Sequence, residues 1–140
     1  MLPGPFQFAV DANGQAKLRI SMPSGTGAFS FRYVTLKPRT IPIDVGAPPL
    51  SATLDEPGRV DIYQFTPPAD VTSVQVASTT PCDAGPTYGY AAESSEPNVL
   101  SPGQLCFGYA HPVSPGTTEL ILVWSDGAKQ EPYSISLQRS

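Results

Sequence analysis

The sequence has few of the residues that build helical or charge-driven proteins. Only 14% of its 140 residues are charged, and it contains one histidine, one tryptophan and two cysteines. So few charged residues exclude a helical bundle, a coiled coil and a charge-rich disordered tail, which need more Ala, Leu, Glu and Lys. No apolar run approaches the roughly 18 residues that a membrane-spanning helix requires. No 3.6-residue periodicity extends over a helical length.

Turn-forming residues are abundant instead. The 17 prolines and 12 glycines make up a far larger share of the chain than the roughly 12% of average usage. Short segments of β-type pattern lie between them and predict strands at Phe6–Val10, Ala16–Met22, Phe29–Leu36, Arg59–Phe65, Val71–Ala77, Leu105–Ala110, Glu119–Trp124 and Tyr133–Leu137. Short strands separated by frequent turn signals predict an all-β, antiparallel β-sandwich.

Two segments between the predicted strands differ in composition. Residues 37–50 contain four prolines and are predicted to be a linker or an edge segment, because proline cannot donate to a central ladder. Residues 79–103 are rich in Pro, Gly, Ser and Thr and are assigned to no strand. In the strands, alternation and apolar character predict a core that includes Tyr63, Phe65, Val74, Val76, Leu122, Trp124 and Ile135.

Charge is distributed unevenly along the chain. Residues 1–50 carry five cations against two carboxylates, whereas residues 51–140 carry three cations against ten carboxylates. An acidic body argues against nucleic acid as a partner, because a phosphate-binding surface needs clustered Lys and Arg. The ordinary interpretation is that these charges cover solvated strand faces. Electrostatic attraction between the two parts is the alternative.

The two cysteines, Cys82 and Cys106, both lie beside turn residues. An even count in a chain of low charge predicts one disulfide and an oxidising compartment; two buried thiols are the alternative. Two cysteines and a single histidine cannot complete a zinc site. Calcium would need oxygen ligands such as Asp61, Asp83 and Asp126, but no Asp-x-Asp-x-Asp loop groups them. We predict no metal and no cofactor.

The second part of the chain resembles a known family. Ile43-Asp44-Val45-Gly46 leads through Leu50–Leu54 to Asp61-Ile62-Tyr63-Gln64-Phe65. This order resembles the opening of the bacterial pre-peptidase C-terminal (PPC) domain, and Leu120–Trp124 with Tyr133–Leu137 resembles its last two strands. The resemblance covers residues 41–137, although the segment from Cys82 to Cys106 departs from the family pattern. It implies a jelly-roll-like sandwich that serves as a non-catalytic accessory module of a secreted or surface protein.

The resemblance also suggests how the chain is divided. Residues 41–140 would form the PPC-like sandwich, and residues 1–40 would form N-terminal strands. Leu18–Leu36 and Leu120–Leu137 share one plan, an apolar strand, a turn and an aromatic-led strand that ends in Leu. The first of them is therefore interpreted as the closing hairpin of a preceding repeat. Chance similarity between two amphipathic hairpins is the alternative.

The single histidine and a group of aromatic residues are the functional candidates. His111 could serve a hydrolase, but no Gly-x-Ser-x-Gly elbow accompanies it, and Ala110-His111-Pro112 is predicted to place it in a turn at the end of a strand. Tyr88, Tyr90 and Tyr109 could form an aromatic patch together with Phe107. Exposed, such rings would stack on sugars or contact a partner; buried, they would be ordinary cross-strand packing.

These observations predict a protein that is not an enzyme. The expected function is to stabilise, space or target a larger polypeptide from a secreted or cell-surface location. The expected partners are flanking domains of the parent protein, another extracellular protein or a polysaccharide, but neither nucleic acid nor a membrane span. The alternative function is carbohydrate binding through the aromatic patch.

Overall fold

The computed structural model describes residues 24–28, 35–83, 85–92, 100–125 and 130–140, except for the side chains of residues 89–92 and 100–102. The chain divides into two compact units, Met1–Tyr33 and Val34–Ser140. The strands predicted at 6–10 and 16–22, and most of the strand at 29–36, lie outside the described residues. The division of the chain near residue 40 stays a prediction.

The second unit contains nine strands in its described part. They are β1 (Lys37–Pro42), β2 (Leu50–Leu54), β3 (Arg59–Phe65), β4 (Ser73–Ala77), β5 (Thr87–Ala92), β6 (Leu100–Gln104), β7 (Ala110–Pro112), β8 (Glu119–Trp124) and β9 (Glu131–Arg139). A single 3₁₀ turn, Leu105–Phe107, joins β6 to β7 within the described residues. No described helix is long and apolar enough to cross a membrane.

The strands form two sheets, and the prediction of an all-β sandwich is confirmed. One sheet has the order β1-β3-β8-β5-β6, and the other has the order β2-β9-β4-β7. Pairing between these strands is antiparallel except for β1, which runs parallel to β3. β1 holds Pro38 and Pro42 at an edge of its sheet, as the missing N–H groups require. The sequence left a linker or an edge segment open for residues 37–50, and the structure shows an edge strand at Lys37–Pro42.

The core lies between the two sheets and follows the alternation of the strands. Six of the seven predicted core residues are buried: Tyr63, Phe65, Val74, Val76, Trp124 and Ile135. Leu122 was wrongly predicted, since it is only half-buried while its neighbours Ile121 and Val123 enter the core. A continuous apolar run such as β8 does not show by itself which of its residues face inward.

The region after residue 79 differs most from the sequence prediction. It contains two strands that were not predicted, and β5 lies inside its sheet between β8 and β6. The strand predicted at Leu105–Ala110 is wrong, because this segment forms the 3₁₀ turn and only then enters β7. Gly108, with φ at 56°, ends the turn in a left-handed conformation that glycine adopts without steric cost.

Candidate functional site

The tyrosines singled out in the sequence occupy different environments. Tyr88 lies in β5 and is fully buried, whereas Tyr109 follows the 3₁₀ turn and is 51% exposed. Tyr90 also belongs to β5, but its side chain lies outside the described residues. The ring of Tyr88 therefore presents no face to solvent. Ligand binding by this set stays a prediction, with Tyr109 as its exposed member.

Tyr88 joins the two sheets through the single histidine. Its hydroxyl lies 3.2 Å from His111 Nε2, and the rings meet edge to face with centroids 5.9 Å apart. Tyr109 N–H donates to the same hydroxyl at 3.3 Å. Burial raises the pKa of Tyr88 and lowers the pKa of His111, which favours a neutral hydroxyl beside a neutral imidazole, and the tautomer of the imidazole decides which of the two donates. His111 lies in the middle of β7 and is buried, so the prediction of a turn residue is wrong.

This arrangement predicts a pH-dependent stability that depends on His111. Because burial lowers the pKa of folded His111, the unfolded chain binds a proton first as the pH falls below about 6.5. The stabilisation that neutral His111 contributes is complete above that pH and is lost as the pH falls toward the folded-state pKa. Over this range the free energy of unfolding decreases by at most about 1.4 kcal/mol per pH unit. Urea unfolding between pH 7.5 and 5 measures this slope. His111→Gln should remove it, and an unchanged slope in that variant would contradict the assignment.

Cys82 and Cys106 form a disulfide, as predicted, with their Cα atoms 5.1 Å apart. Cys82 lies in the connection between β4 and β5, and Cys106 lies in the 3₁₀ turn. The bond therefore ties the turn to the connection that leaves the other sheet. A disulfide points to an extracellular or periplasmic location, since cytosolic thiols are kept reduced.

The disulfide anchors an exposed aromatic segment, Cys106–Tyr109, which we call the aromatic turn. Gly108 within it is held close to β4: a Cβ atom at this position would lie 2.7 Å from the carbonyl oxygen of Val76. The Gln75 side chain donates to the Gly108 carbonyl at 3.0 Å, and the Val76 N–H donates to the Tyr109 carbonyl at 3.2 Å. The backbone of the aromatic turn is thus fixed against β4.

Two large apolar rings project from this fixed backbone. Phe107 is 60% exposed and Tyr109 is 51% exposed. Their ring centroids are 6.4 Å apart and the ring planes are inclined by 48°. The Tyr109 ring also covers Gly103, where a Cβ atom would lie 3.0 Å from Tyr109 Cε2. The sequence pairs Phe107 with Tyr109 but places them in a strand; the Gly108 between them is the overlooked turn signal.

The charged side chains leave the described surface acidic. Each described cation forms an ion pair: Lys37 with Glu56, Arg39 with Asp61, Arg59 with Asp55 and Glu56, and Arg139 with Asp70. Asp44, Asp83 and Glu131 have no ion pair with a described residue. The described surface therefore offers unpaired negative charges and no unpaired positive charge.

A shallow open groove of about 420 Å³ lies beside β2 and β9. Residues 51–53, 79–81 and 132–134 line it, and none of them is charged. Its hydroxyl groups bond to one another and to the backbone: the Thr79 N–H donates to Ser134 Oγ at 2.9 Å, and the Ser134 N–H donates to Thr80 Oγ1 at 2.9 Å. These bonds attach the connection after β4 to β9. The hydroxyl groups that line the groove therefore stabilise the fold.

Comparison with known proteins rests on structure, since no family model and no curated protein sequence matches the chain. The pre-peptidase C-terminal domain of a collagenase from Bacillus anthracis superposes with a TM-score of 0.50, at 16% identity over 76% of this chain and 99% of that one. The chain has a PPC-like fold. PliG from Aeromonas hydrophila, a periplasmic inhibitor of g-type lysozyme, superposes with a TM-score of 0.52, at 15% identity over 73% and 100% of the two chains.

The PPC-like pattern Asp61-x-Tyr63-x-Phe65 places three side chains on the inward face of β3. Asp61 has no exposed surface and binds Arg39 of β1 through two contacts of 2.8 Å, from Nε and from Nη2. The Tyr133 hydroxyl of β9 donates to Asp61 Oδ2 at 2.5 Å. Because the hydroxyl proton of Tyr133 is directed to Asp61, the Tyr63 hydroxyl donates to Tyr133 Oη at 2.8 Å. We call Arg39, Asp61, Tyr63 and Tyr133 the polar network.

The polar network links both sheets of the PPC-like sandwich at one side. Arg39 Nη2 also reaches the carbonyl oxygen of Thr53 in β2, at 3.3 Å, so Arg39 joins an edge strand of each sheet. The hydrogen bond to Asp61 raises the pKa of Arg39, and burial raises the pKa of the Tyr133 hydroxyl. The Asp61 carboxylate thus accepts hydrogen bonds from the Arg39 guanidinium and from the Tyr133 hydroxyl. The described residues contain no group of three or more His, Cys, Asp or Glu side chains suited to a metal ion.

Proposed function

We propose that this chain is a non-catalytic accessory module of a secreted or cell-surface protein, which stabilises, spaces or targets a larger polypeptide. One observation carries the proposal: the buried groups that could do chemistry hold the sheets together. His111 contacts Tyr88 across the sandwich, and Asp61 binds Arg39 and Tyr133. Neither group faces an open cleft, because both are buried.

The comparisons and the disulfide support this proposal. One protein of similar fold is a domain of a collagenase, and the other is an inhibitor protein of the periplasm. The Cys82–Cys106 bond fits the oxidising environment in which such proteins are found. A module of this kind acts through a partner, and the aromatic turn is the described surface best suited to contact one.

A hydrolase built around His111 is the competing interpretation, and turnover measurements distinguish the two. The oxidised chain is incubated with chromogenic ester, peptide and glycoside substrates, and the His111→Gln variant serves as a matched control. We expect the same background rate with both proteins. Turnover by the wild type that disappears in His111→Gln, while the circular dichroism spectrum is unchanged, would overturn the proposal.

A further inference from the structure

We propose that the aromatic turn is the surface through which this module binds a partner, and that the partner is a folded protein with an apolar pocket edged by Lys and Arg. This inference rests on the proposed accessory function and names the contact surface and the partner class. Three features of the described residues support it: exposed rings on an anchored backbone, polar side chains beside that backbone, and a nearby carboxylate without a described ion pair.

The rings are exposed yet held in place. Phe107 and Tyr109 each leave at least half of their surface in water, so burial in this chain accounts for only part of their apolar area. The Cys82–Cys106 bond, the left-handed Gly108 and two hydrogen bonds from β4 nevertheless fix the backbone that carries them. Fixing a contact residue before binding reduces the entropy that association costs. Phe and Tyr are also enriched in the cores of protein interfaces.

Two polar uncharged side chains lie beside the backbone of the aromatic turn. Gln75 is exposed and bonded to the Gly108 carbonyl, and Gln104 is exposed at the start of the 3₁₀ turn. Aromatic anchors surrounded by residues that exclude water are the usual arrangement of a binding hot spot. The aromatic turn supplies two aromatic anchors with polar side chains nearby.

Among the described residues, a carboxylate without an ion pair lies near the aromatic turn. Asp83 follows Cys82 and Phe107 follows Cys106, so the disulfide holds their Cα atoms within about 13 Å of each other. Asp83 is exposed and has no ion pair with a described residue. All described cations, in contrast, are already paired with carboxylates. Complementarity therefore favours a basic rim on the partner and disfavours polyanions and anionic membranes.

A polysaccharide fits this surface less well than a protein pocket does. A sugar chain stacks on ring faces that lie roughly in one plane, whereas the planes of Phe107 and Tyr109 are inclined by 48°. The Tyr109 ring also lies against Gly103, which reduces the ring surface open to a sugar. Inclined rings on a protruding turn are better suited to enter a concave apolar site.

Site-specific photocrosslinking tests the inference in cells that make the protein. Phe107→p-benzoyl-L-phenylalanine places the crosslinker in the aromatic turn, and Leu50→p-benzoyl-L-phenylalanine places it on β2, where Leu50 is another exposed apolar residue. We expect an adduct of the first protein with one partner, identified by mass spectrometry as a basic protein. The Leu50 derivative should form at least about tenfold less of it.

Second substitutions in the Phe107 derivative test the chemistry of the contact. Tyr109→Ser should reduce the adduct at least about tenfold, and Asp83→Lys should reduce it severalfold. Asp44→Lys, an equal charge change at another exposed carboxylate without a described ion pair, should leave it unchanged. Each variant must keep the wild-type melting temperature, which an exposed substitution permits.

Each remaining outcome contradicts the inference. No adduct from position 107, an adduct that survives Tyr109→Ser, or an adduct with a second copy of this chain would each overturn it. Retention on an insoluble polysaccharide that requires Phe107 and Tyr109 would instead support carbohydrate binding. A strong adduct from position 50 alone would place the contact on another face of the module. That result would contradict the proposed contact surface without contradicting the proposed accessory function.

Discussion

Replacing Arg39 by methionine is expected to lower the free energy of unfolding by about 3 kcal/mol, the lower end of the range for a buried pair, because the Arg39 side chain is itself 39% exposed. The substitution keeps much of the aliphatic volume but removes the cation that faces Asp61. Asp61 has no exposed side-chain surface, so its carboxylate depends on its protein partners for hydrogen bonds. The Tyr133 hydroxyl would then be the one described hydrogen-bond donor left to the carboxylate. Urea unfolding monitored by Trp124 fluorescence at pH 7 measures the change.

The reciprocal substitution, Asp61→Asn, should cost less, about 1–3 kcal/mol. The Arg39 side chain is 39% exposed, so its charge can be solvated by water when the carboxylate is removed. The double variant should lose less than the sum of the two single losses, because neither remaining group is then an uncompensated buried charge. This asymmetry follows from the different burial of the two partners.

Lys37→Met is the matched control for the polar network. Lys37 also lies in β1 and forms an ion pair, but both partners of that pair are partly exposed. Exposed pairs contribute little to stability, so no measurable change is expected. A loss for Arg39→Met no larger than that for Lys37→Met would show that the polar network does not stabilise the sandwich.

Removing the disulfide through Cys82→Ala with Cys106→Ala should lower the free energy of unfolding by about 3–4 kcal/mol. The bond spans a sequence separation of 24, and in the chain-entropy model a closed loop of this length restricts the unfolded chain by that amount. Reduction of the wild-type protein by dithiothreitol should produce a similar loss. Thermal and urea unfolding of oxidised, reduced and double-variant proteins provide the comparison.

The double variant supplies its own control, because its stability should not respond to dithiothreitol. If reduction leaves the wild-type midpoint unchanged, then the bond does not constrain the unfolded chain as this prediction requires. Alkylation of the oxidised protein before reduction should add no thiol adduct. Two adducts at that stage would contradict the disulfide itself.

Features that depend on a short stretch of sequence could be predicted. The proline-rich segment 37–50 indicated an edge because each proline removes a backbone donor, whatever strand lies beside it. Alternation along residues 59–65 placed Tyr63 and Phe65 on one face because successive side chains of any strand point to opposite sides. The even cysteine count and the turn residues beside both cysteines indicated the disulfide.

Features that depend on distant neighbours could not be predicted in this way. β5 lies in the segment 79–103, which is rich in turn-forming residues, and it becomes a strand because β8 and β6 pair with it on both sides. Leu122 and Ile121 are equally apolar, and only the packing of the opposite sheet selects Ile121 for the core. The environment of His111 depends in the same way on Tyr88, 23 residues away in the sequence.

The sequence by itself determined the all-β class, restricted the proline-rich segment to a linker or an edge, and favoured the pairing of the cysteines. Each of these follows from backbone chemistry or from the number of residues of one type, and neither depends on which segments become neighbours in the fold. Tertiary structure alone decided that Arg39 meets Asp61, 22 residues apart, and that Phe107 and Tyr109 remain in water. Both outcomes depend on which strands become neighbours, since burial and hydrogen bonding are properties of the assembled sandwich and not of any one segment.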